Sequence, residues 1–254
     1  MLEAYLREKR KQKEILLMTH IVIGYPSLKA SEQLVDAMVA CGVDLMELQI
    51  PFSEPIADGP VILRANQQAL AGGLTVAQCL DFGGRMARRH PIPFLFMTYC
   101  NILYQYGFER FARTMAESGL RGAIVPDLPP EEGGEYLAAM RDNALAPILI
   151  FAPTATTERL ELLARHARGF VYCVARKGVT GQRTRFSEEL ESYLARCRRA
   201  TDLPLALGFG VKDKTDIDFL AGKADIAVIG SQALRAMDRG GVTAVAELIR
   251  GLRV

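Results

Sequence analysis

The chain has 254 residues, of which 50% are hydrophobic and 24% charged, with a formal net charge of only +2. That length and apolar content suit a single domain over residues 1–254, and the charge balance gives no general attraction to nucleic acid or an anionic membrane surface. The five cysteines, Cys41, Cys79, Cys100, Cys173 and Cys197, are odd in number and lack C-x-x-C or Cys/His spacing. They argue against a disulfide framework or a zinc site and fit reduced thiols in the cytoplasm.

Met1 to Glu14 is charged and carries no signal-peptide core, and no later apolar run reaches the ~18 residues that span a bilayer. Leu2 and Leu6, with Glu3 and Glu8 between basic residues, predict a solvated amphipathic helix. Short β-rich runs then alternate with helical patterns. The predicted strands are 15–23, 43–50, 93–98, 122–125, 146–151, 169–174, 203–207 and 225–229. Between them, apolar faces such as Leu34, Ala37, Met38 and Cys41 end at a glycine, here Gly42, as do Phe108, Phe111, Ala112 and Met115 before Gly119. An open doubly wound sheet also alternates strand and helix. Eight βα units favour closure, so the predicted fold is a (β/α)8 TIM barrel with an extra N-terminal helix.

In such a barrel, phosphate commonly sits between the loops after the last two strands and the start of a short helix. Here those loops are Gly208-Phe209-Gly210 and Gly230-Ser231. Glycine lets backbone N–H groups approach an anion, and a helix beginning near Ser231 adds its positive end. Arg176-Lys177-Gly178-Val179-Thr180-Gly181, after the sixth strand, can close over a ligand. Each glycine taken singly can equally make a tight strand-to-helix turn.

In the second strand, Glu47 and Gln49 fall on one face and Met46, Leu48 and Ile50 on the other. A glutamate facing a barrel interior is costly unless paired or at work. Asp58 follows in a loop punctuated by Pro51, Pro55, Gly59 and Pro60 that can fold over the barrel mouth. Two carboxylates in different environments allow one to shuttle protons while the other stays ionised. A structural Glu and an ordinary loop Asp fit the residue types as well.

The segment Glu47-Leu48-Gln49-Ile50-Pro51-Phe52-Ser53-Glu54-Pro55-Ile56-Ala57-Asp58-Gly59-Pro60 resembles the tryptophan synthase α subunit family, whose pattern there is E-L-G-[IV]-P-F-S-D-P-x-A-D-G-P. Gly24-Tyr25-Pro26, Tyr99, Asn101, Asp127-Leu128-Pro129, Gly178 to Gly181, Gly208 to Gly210 and Gly230-Ser231 continue the likeness in order along nearly the whole chain. The resemblance implies a carbon–carbon lyase that cleaves indole-3-glycerol phosphate to indole and glyceraldehyde 3-phosphate, the α reaction of tryptophan biosynthesis. It gives Glu47 the role of proton donor to the indole ring and Asp58 that of acceptor for the indole N–H. Tyr172 matches a tyrosine near the reacting carbons, although a core aromatic reads the same. Tyr99, Thr180, Gly181, Gly208, Phe209, Gly210, Gly230 and Ser231 match substrate-binding positions. The resemblance implies no cofactor in this chain. Pyridoxal phosphate belongs to a β subunit on which the chain docks as an α2β2 heterotetramer, through the loop from Phe52 to Pro60 and the segment from Tyr99 to Tyr106.

Three residues depart from the pattern. Gln49 replaces a glycine, and a pocket narrowed or hydrogen-bonded near Glu47 is the expected effect. Glu54 replaces an aspartate in the docking loop. His20 replaces an apolar residue of the indole pocket and reads as a packed, hydrogen-bonded histidine, while His90 and His166 sit at helix ends. Two other functions stay open: another phosphate-gripping barrel, such as a phosphoribosyl isomerase, and a low-activity paralogue that mainly binds and activates a β subunit.

Overall fold

The computed structural model describes residues 2–175, 183–208 and 210–252. Eight strands, β1 Leu16–Val22, β2 Leu45–Gln49, β3 Phe94–Met97, β4 Gly122–Ile124, β5 Ala146–Phe151, β6 Val171–Val174, β7 Leu205–Gly208 and β8 Ile226–Ile229, pair in parallel in chain order, and β8 closes onto β1. Around them, among the described residues, run α1 Leu2–Arg10, α2 Leu28–Ala40, α3 Pro60–Ala71, α4 Val76–Arg89, α5 Cys100–Tyr106, α6 Phe108–Glu117, α7 Gly134–Asp142, α8 Thr157–His166, α9 Arg183–Ala200, α10 Lys214–Leu220 and α11 Ser231–Gly251. None of these helices is long and apolar enough to cross a membrane.

Local signals set the boundaries. Ser27 caps α2 by accepting from the Ala30 N–H at 3.1 Å, Thr75 and Gln78 form a reciprocal capping box on α4, and Asp213 caps α10. Gly42 ends α2 with φ of 90°, a conformation that strains any residue with a Cβ. The predicted strand 169–174 starts two residues late as β6, because Gly169 (φ 80°) still turns the chain and Phe170 donates back to the Arg168 carbonyl at 3.0 Å.

Strand alternation divides the core in two. Leu17, Ile21, Met46, Leu48, Phe94 and Phe96 face outward and pack under the helices. Leu16, Met18, Leu45, Leu95, Ile148 and Phe170 belong to a separate interior cluster that also holds Leu2 and Leu6 of α1. Both strand faces are thus covered, as an all-parallel barrel requires.

The N-terminal helix departs from the solvated helix expected of it. Its apolar face plugs the barrel floor, with Leu6 fully buried. Its polar groups reach the starts of three strands. The Tyr5 hydroxyl donates to the Asp44 carbonyl at 2.8 Å, Glu3 accepts from the Gly169 N–H at 3.0 Å, and Arg10 pairs with Asp225 at 2.6 Å. Lys13, just past the helix, pairs with the Asp44 carboxylate at 2.6 Å. Part of the basic run therefore neutralises carboxylates of the chain itself.

Candidate active site

At the opposite end, the inward positions become polar and enclose a cavity of about 550 Å³. Glu47, Asp58, Tyr172, Gly208, Gly210, Gly230 and Ser231 line it together with His20. Its apolar wall includes Met97, Ile124, Ile150 and Val228. Those four were not singled out from the sequence, although they share the inward parity of Glu47 on their own strands. No Lys or Arg lines the cavity among the described residues.

Parallel pairing of β1 with β2 sets His20 opposite Glu47. The His20 Nδ1 and Glu47 Oε1 atoms lie 2.6 Å apart, and each residue is only 3% exposed. The glutamate thus has the partner that burial demands. Burial disfavours the imidazolium, yet the pull of Glu47, the hydrogen bond to it, the charge of Asp58 and a contribution from Gln49 outweigh that and raise the His20 pKa. The second oxygen, Glu47 Oε2, is buried without a hydrogen-bond partner among the described residues. It is the unclaimed polar atom expected of a group that meets a ligand.

The loop after β2 brings Asp58 over the mouth. It is anchored at one end by Asn66 of α3, whose Oδ1 accepts from the Phe52 N–H at 2.9 Å and whose Nδ2 donates to the Ile62 carbonyl at 2.8 Å. The Phe52 ring stacks on Tyr99 with centroids 5.1 Å apart. The Tyr99 hydroxyl donates to Asp58 Oδ2 at 3.1 Å and accepts from the Ala57 N–H at 3.2 Å. Gln49 Nε2 donates to the same Oδ2 at 2.6 Å. Oδ1 accepts no hydrogen bond from the described residues. Burial raises the Asp58 pKa; His20, Gln49 and Tyr99 oppose that rise and Glu47 adds to it.

Two of the residues read from the sequence act on Asp58. Tyr99, matched to substrate binding, does not line the cavity; it is fully buried and braces Asp58 and its loop. Gln49 was expected to narrow or hydrogen-bond the pocket near Glu47, and its amide donates to Asp58, which lines that pocket with Glu47. The parity argument put Gln49 on the right face without showing that the loop would fold back to meet it.

Tyr172 stands between the two ends of the cavity. Burial, then the negative charges of Glu47 and Asp58, push its hydroxyl well above the usual phenol range, so it stays a neutral donor. The ring crosses close to Gly208, where an added Cβ would lie 2.9 Å from Tyr172 Cε1. Gly208 is therefore small for the sake of its neighbour as well as for any anion. Gly210 has φ of 84° and open space around its Cα. Gly230 is the N-cap of α11, which begins at Ser231 as expected, and Gly230, Ser231 and Gln232 at this helix start line the cavity. Phe209, Thr180 and Gly181, with the rest of the 176–182 loop, lie outside the described residues. Among those described, no group of three or more His, Cys, Asp or Glu is placed to hold a metal ion.

The comparisons agree with this geometry. The family model for the tryptophan synthase alpha chain matches residues 6–250. A tryptophan synthase alpha chain of Syntrophotalea carbinolica is 62% identical over 253 residues, covering 100% of both chains. That of Desulforapulum autotrophicum is 62% identical over 252 residues, covering 99% of this chain and 100% of the relative. Among solved structures, a chain of Mycobacterium tuberculosis tryptophan synthase superposes with a TM-score of 0.91 at 33% identity, covering 99% of this chain and 96% of that one. A closed eight-stranded barrel with a two-carboxylate mouth, matched over its whole length at this identity, belongs to the tryptophan synthase alpha chain family, the lyases that cleave indole-3-glycerol phosphate in tryptophan biosynthesis.

Proposed function

We propose that this chain, acting as a single-domain barrel in the cytoplasm, performs the family's lyase reaction with Glu47 and Asp58 at one end of the cavity and a backbone phosphate anchor at the other. An indolyl carbanion is a poor leaving group, so C3 of the ring is protonated before its bond to the glycerol carbon breaks. Glu47 delivers that proton. The bond's electron pair then returns to the ring as the adjacent glycerol hydroxyl becomes the aldehyde, and Glu47 takes back the hydroxyl proton. Asp58 Oδ1 accepts the indole N–H and stabilises the positive ring, while Tyr172 donates beside Glu47. Gly208, Gly210, Gly230 and Ser231, with the start of α11, hold the phosphate. Phe209, Thr180 and Gly181 complete this anchor in the same reading, and Tyr99 acts through Asp58. No cofactor takes part in these steps.

The observation that carries the reading is that Glu47, whose Oε2 is buried without a hydrogen-bond partner among the described residues, lines the same cavity as Asp58 and the N-terminus of α11. The test is release of indole from indole-3-glycerol phosphate. Glu47→Gln should lower kcat by about 10³-fold, within the range of lost general acid catalysis. Release unaffected by that substitution would sink the assignment.

The partner reading is a β subunit that carries pyridoxal phosphate. Among the described residues two large apolar side chains stand out in water, Ile56 at 80% and Tyr104 at 71% exposure, and they fall in the two segments matched to docking. An activator of low intrinsic activity would use this surface too. Raising the β subunit's rate while releasing no indole in any condition would select that alternative.

A further inference from the structure

We propose that His20 and Gln49 are positioning residues that join the two catalytic carboxylates into one hydrogen-bonded chain, Glu47–His20–Gln49–Asp58, complete only while the His20 ring is protonated. The inference rests on the lyase reading for its catalytic meaning, not for its geometry. The outer links are formed, at 2.6 Å from His20 Nδ1 to Glu47 Oε1 and 2.6 Å from Gln49 Nε2 to Asp58 Oδ2. Register places His20 beside Glu47 and Val22 beside Gln49, so His20 and Gln49 are diagonal neighbours on adjacent strands. Both remaining atoms, His20 Nε2 and Gln49 Oε1, are buried and lack a partner among the described residues.

Hydrogen-bond chemistry fixes how these two meet. An ionised carboxylate only accepts, so Asp58 requires the NH2 end of Gln49 and leaves its carbonyl for His20. An ionised Glu47 likewise requires a proton on His20 Nδ1. A neutral ring carries that one proton and offers a bare Nε2 to a carbonyl, two acceptors face to face. With Glu47 ionised, only the imidazolium supplies both N–H groups and satisfies every member. Gln49 already favours the charged ring.

The groups facing His20 are compatible with a cation. Glu47 approaches from β2 and Asp58 from the loop after it, with Tyr172 of β6 beside Glu47 and Tyr99, after β3, on Asp58. From the β8 side comes Gly230, where an added Cβ would lie 3.6 Å from His20 Cβ, and Val228 and Ser231, both uncharged, line the same cavity. The chain holds Glu47 by Oε1 and Asp58 by Oδ2, leaving Oε2 and Oδ1 for the substrate. Loss of the His20 proton breaks it in the middle and loosens both carboxylates, which places an alkaline limit on turnover.

The test reads His20 directly. The protein has only three histidines, so the ring carbon–proton signals of His20, His90 and His166 can be assigned with single substitutions and followed by NMR against pH. His20 should hold its proton above the ordinary imidazole range in the native chain and release it at lower pH in Gln49→Met. In the indole assay the alkaline limb of kcat should move to lower pH in Gln49→Met. His20→Phe should lose about tenfold to a hundredfold in kcat, the scale of a misplaced catalytic group, with KM changed less than about threefold. His20→Asn, which restores one N–H toward Glu47, should recover part of kcat without an alkaline limb from position 20. A native His20 that titrates at or below the ordinary range, or a midpoint unmoved in folded Gln49→Met, overturns the chain. If the native protein releases no indole the lyase reading fails, while the NMR titration still decides this proposal.

Discussion

Asp58 shows how one side chain can work against the fold it serves. A group whose proton is held more tightly in the folded than in the unfolded state stabilises below its unfolded pKa, and that gain is lost as pH rises through the folded value. Asp58 is such a carboxyl, raised mainly by burial, so its charge weighs against folding at neutral pH. Asp58→Asn keeps an oxygen to accept from Gln49 and Tyr99, which both meet Oδ2 in the parent. The variant should melt at a higher temperature than the parent at neutral pH, the difference shrinking in acid, while kcat for indole release falls about 10²-fold to 10³-fold. Thermal unfolding at two pH values with parallel kinetics checks both; a lower melting temperature at neutral pH would contradict the argument. Much of this site was legible as residues. Strand parity put Glu47 and Gln49 on the interior face, and the proline- and glycine-punctuated loop brought Asp58 to the mouth. The pairing of His20 with Glu47 was not legible, because the register between β1 and β2 depends on the whole barrel and on nothing local to either strand.

At the scale of an element, α1 departs furthest from its sequence. The stripe of Leu2 and Leu6 announces an amphipathic helix but not what covers the stripe. The structure supplies the answer at the barrel floor, where both side chains join the interior cluster. Leu6→Ala should destabilise the fold by about 2–5 kcal/mol, the range for emptying a fully packed leucine site. Urea unfolding monitored by circular dichroism gives that figure. Because the catalytic mouth lies at the other end, folded Leu6→Ala should keep kcat close to the parent's. A loss of activity without a loss of stability would mean that floor and mouth are coupled. Strand count was the more dependable signal, since all eight strands were marked by apolar runs, four of them announced by the glycine stops Gly42, Gly119, Gly169 and Gly222.

For the whole molecule, the exposed surface carries the next expectation. Ile56 and Tyr104 project from the loop after β2 and from α5, two segments joined behind the surface by Tyr99, the N-cap of α5 and a hydrogen-bond partner of Asp58. Aromatic and apolar anchors of this kind carry most of the energy of an interface. Tyr104→Ala and Ile56→Glu should each weaken binding of a β subunit by about tenfold to a hundredfold in calorimetric titration. Unchanged affinity in both would place the partner elsewhere. Composition gave no hint of this surface; the resemblance pointed to the segments, and the fold brought their two exposed side chains into view.

The floor contacts of α1 also bear on how the molecule is made. Its tethers are at Asp44, Gly169 and Asp225, the starts of β2, β6 and β8. Glu3 and Gly169 are 166 residues apart in the chain. The docking site of α1 is therefore complete only once β6 and β8 are in place. Closing loops of that length is slow and leaves partly built barrels exposed. Until that happens, Leu2 and Leu6 lack the interior cluster that buries them, so the barrel floor is sealed by contacts that span most of the chain.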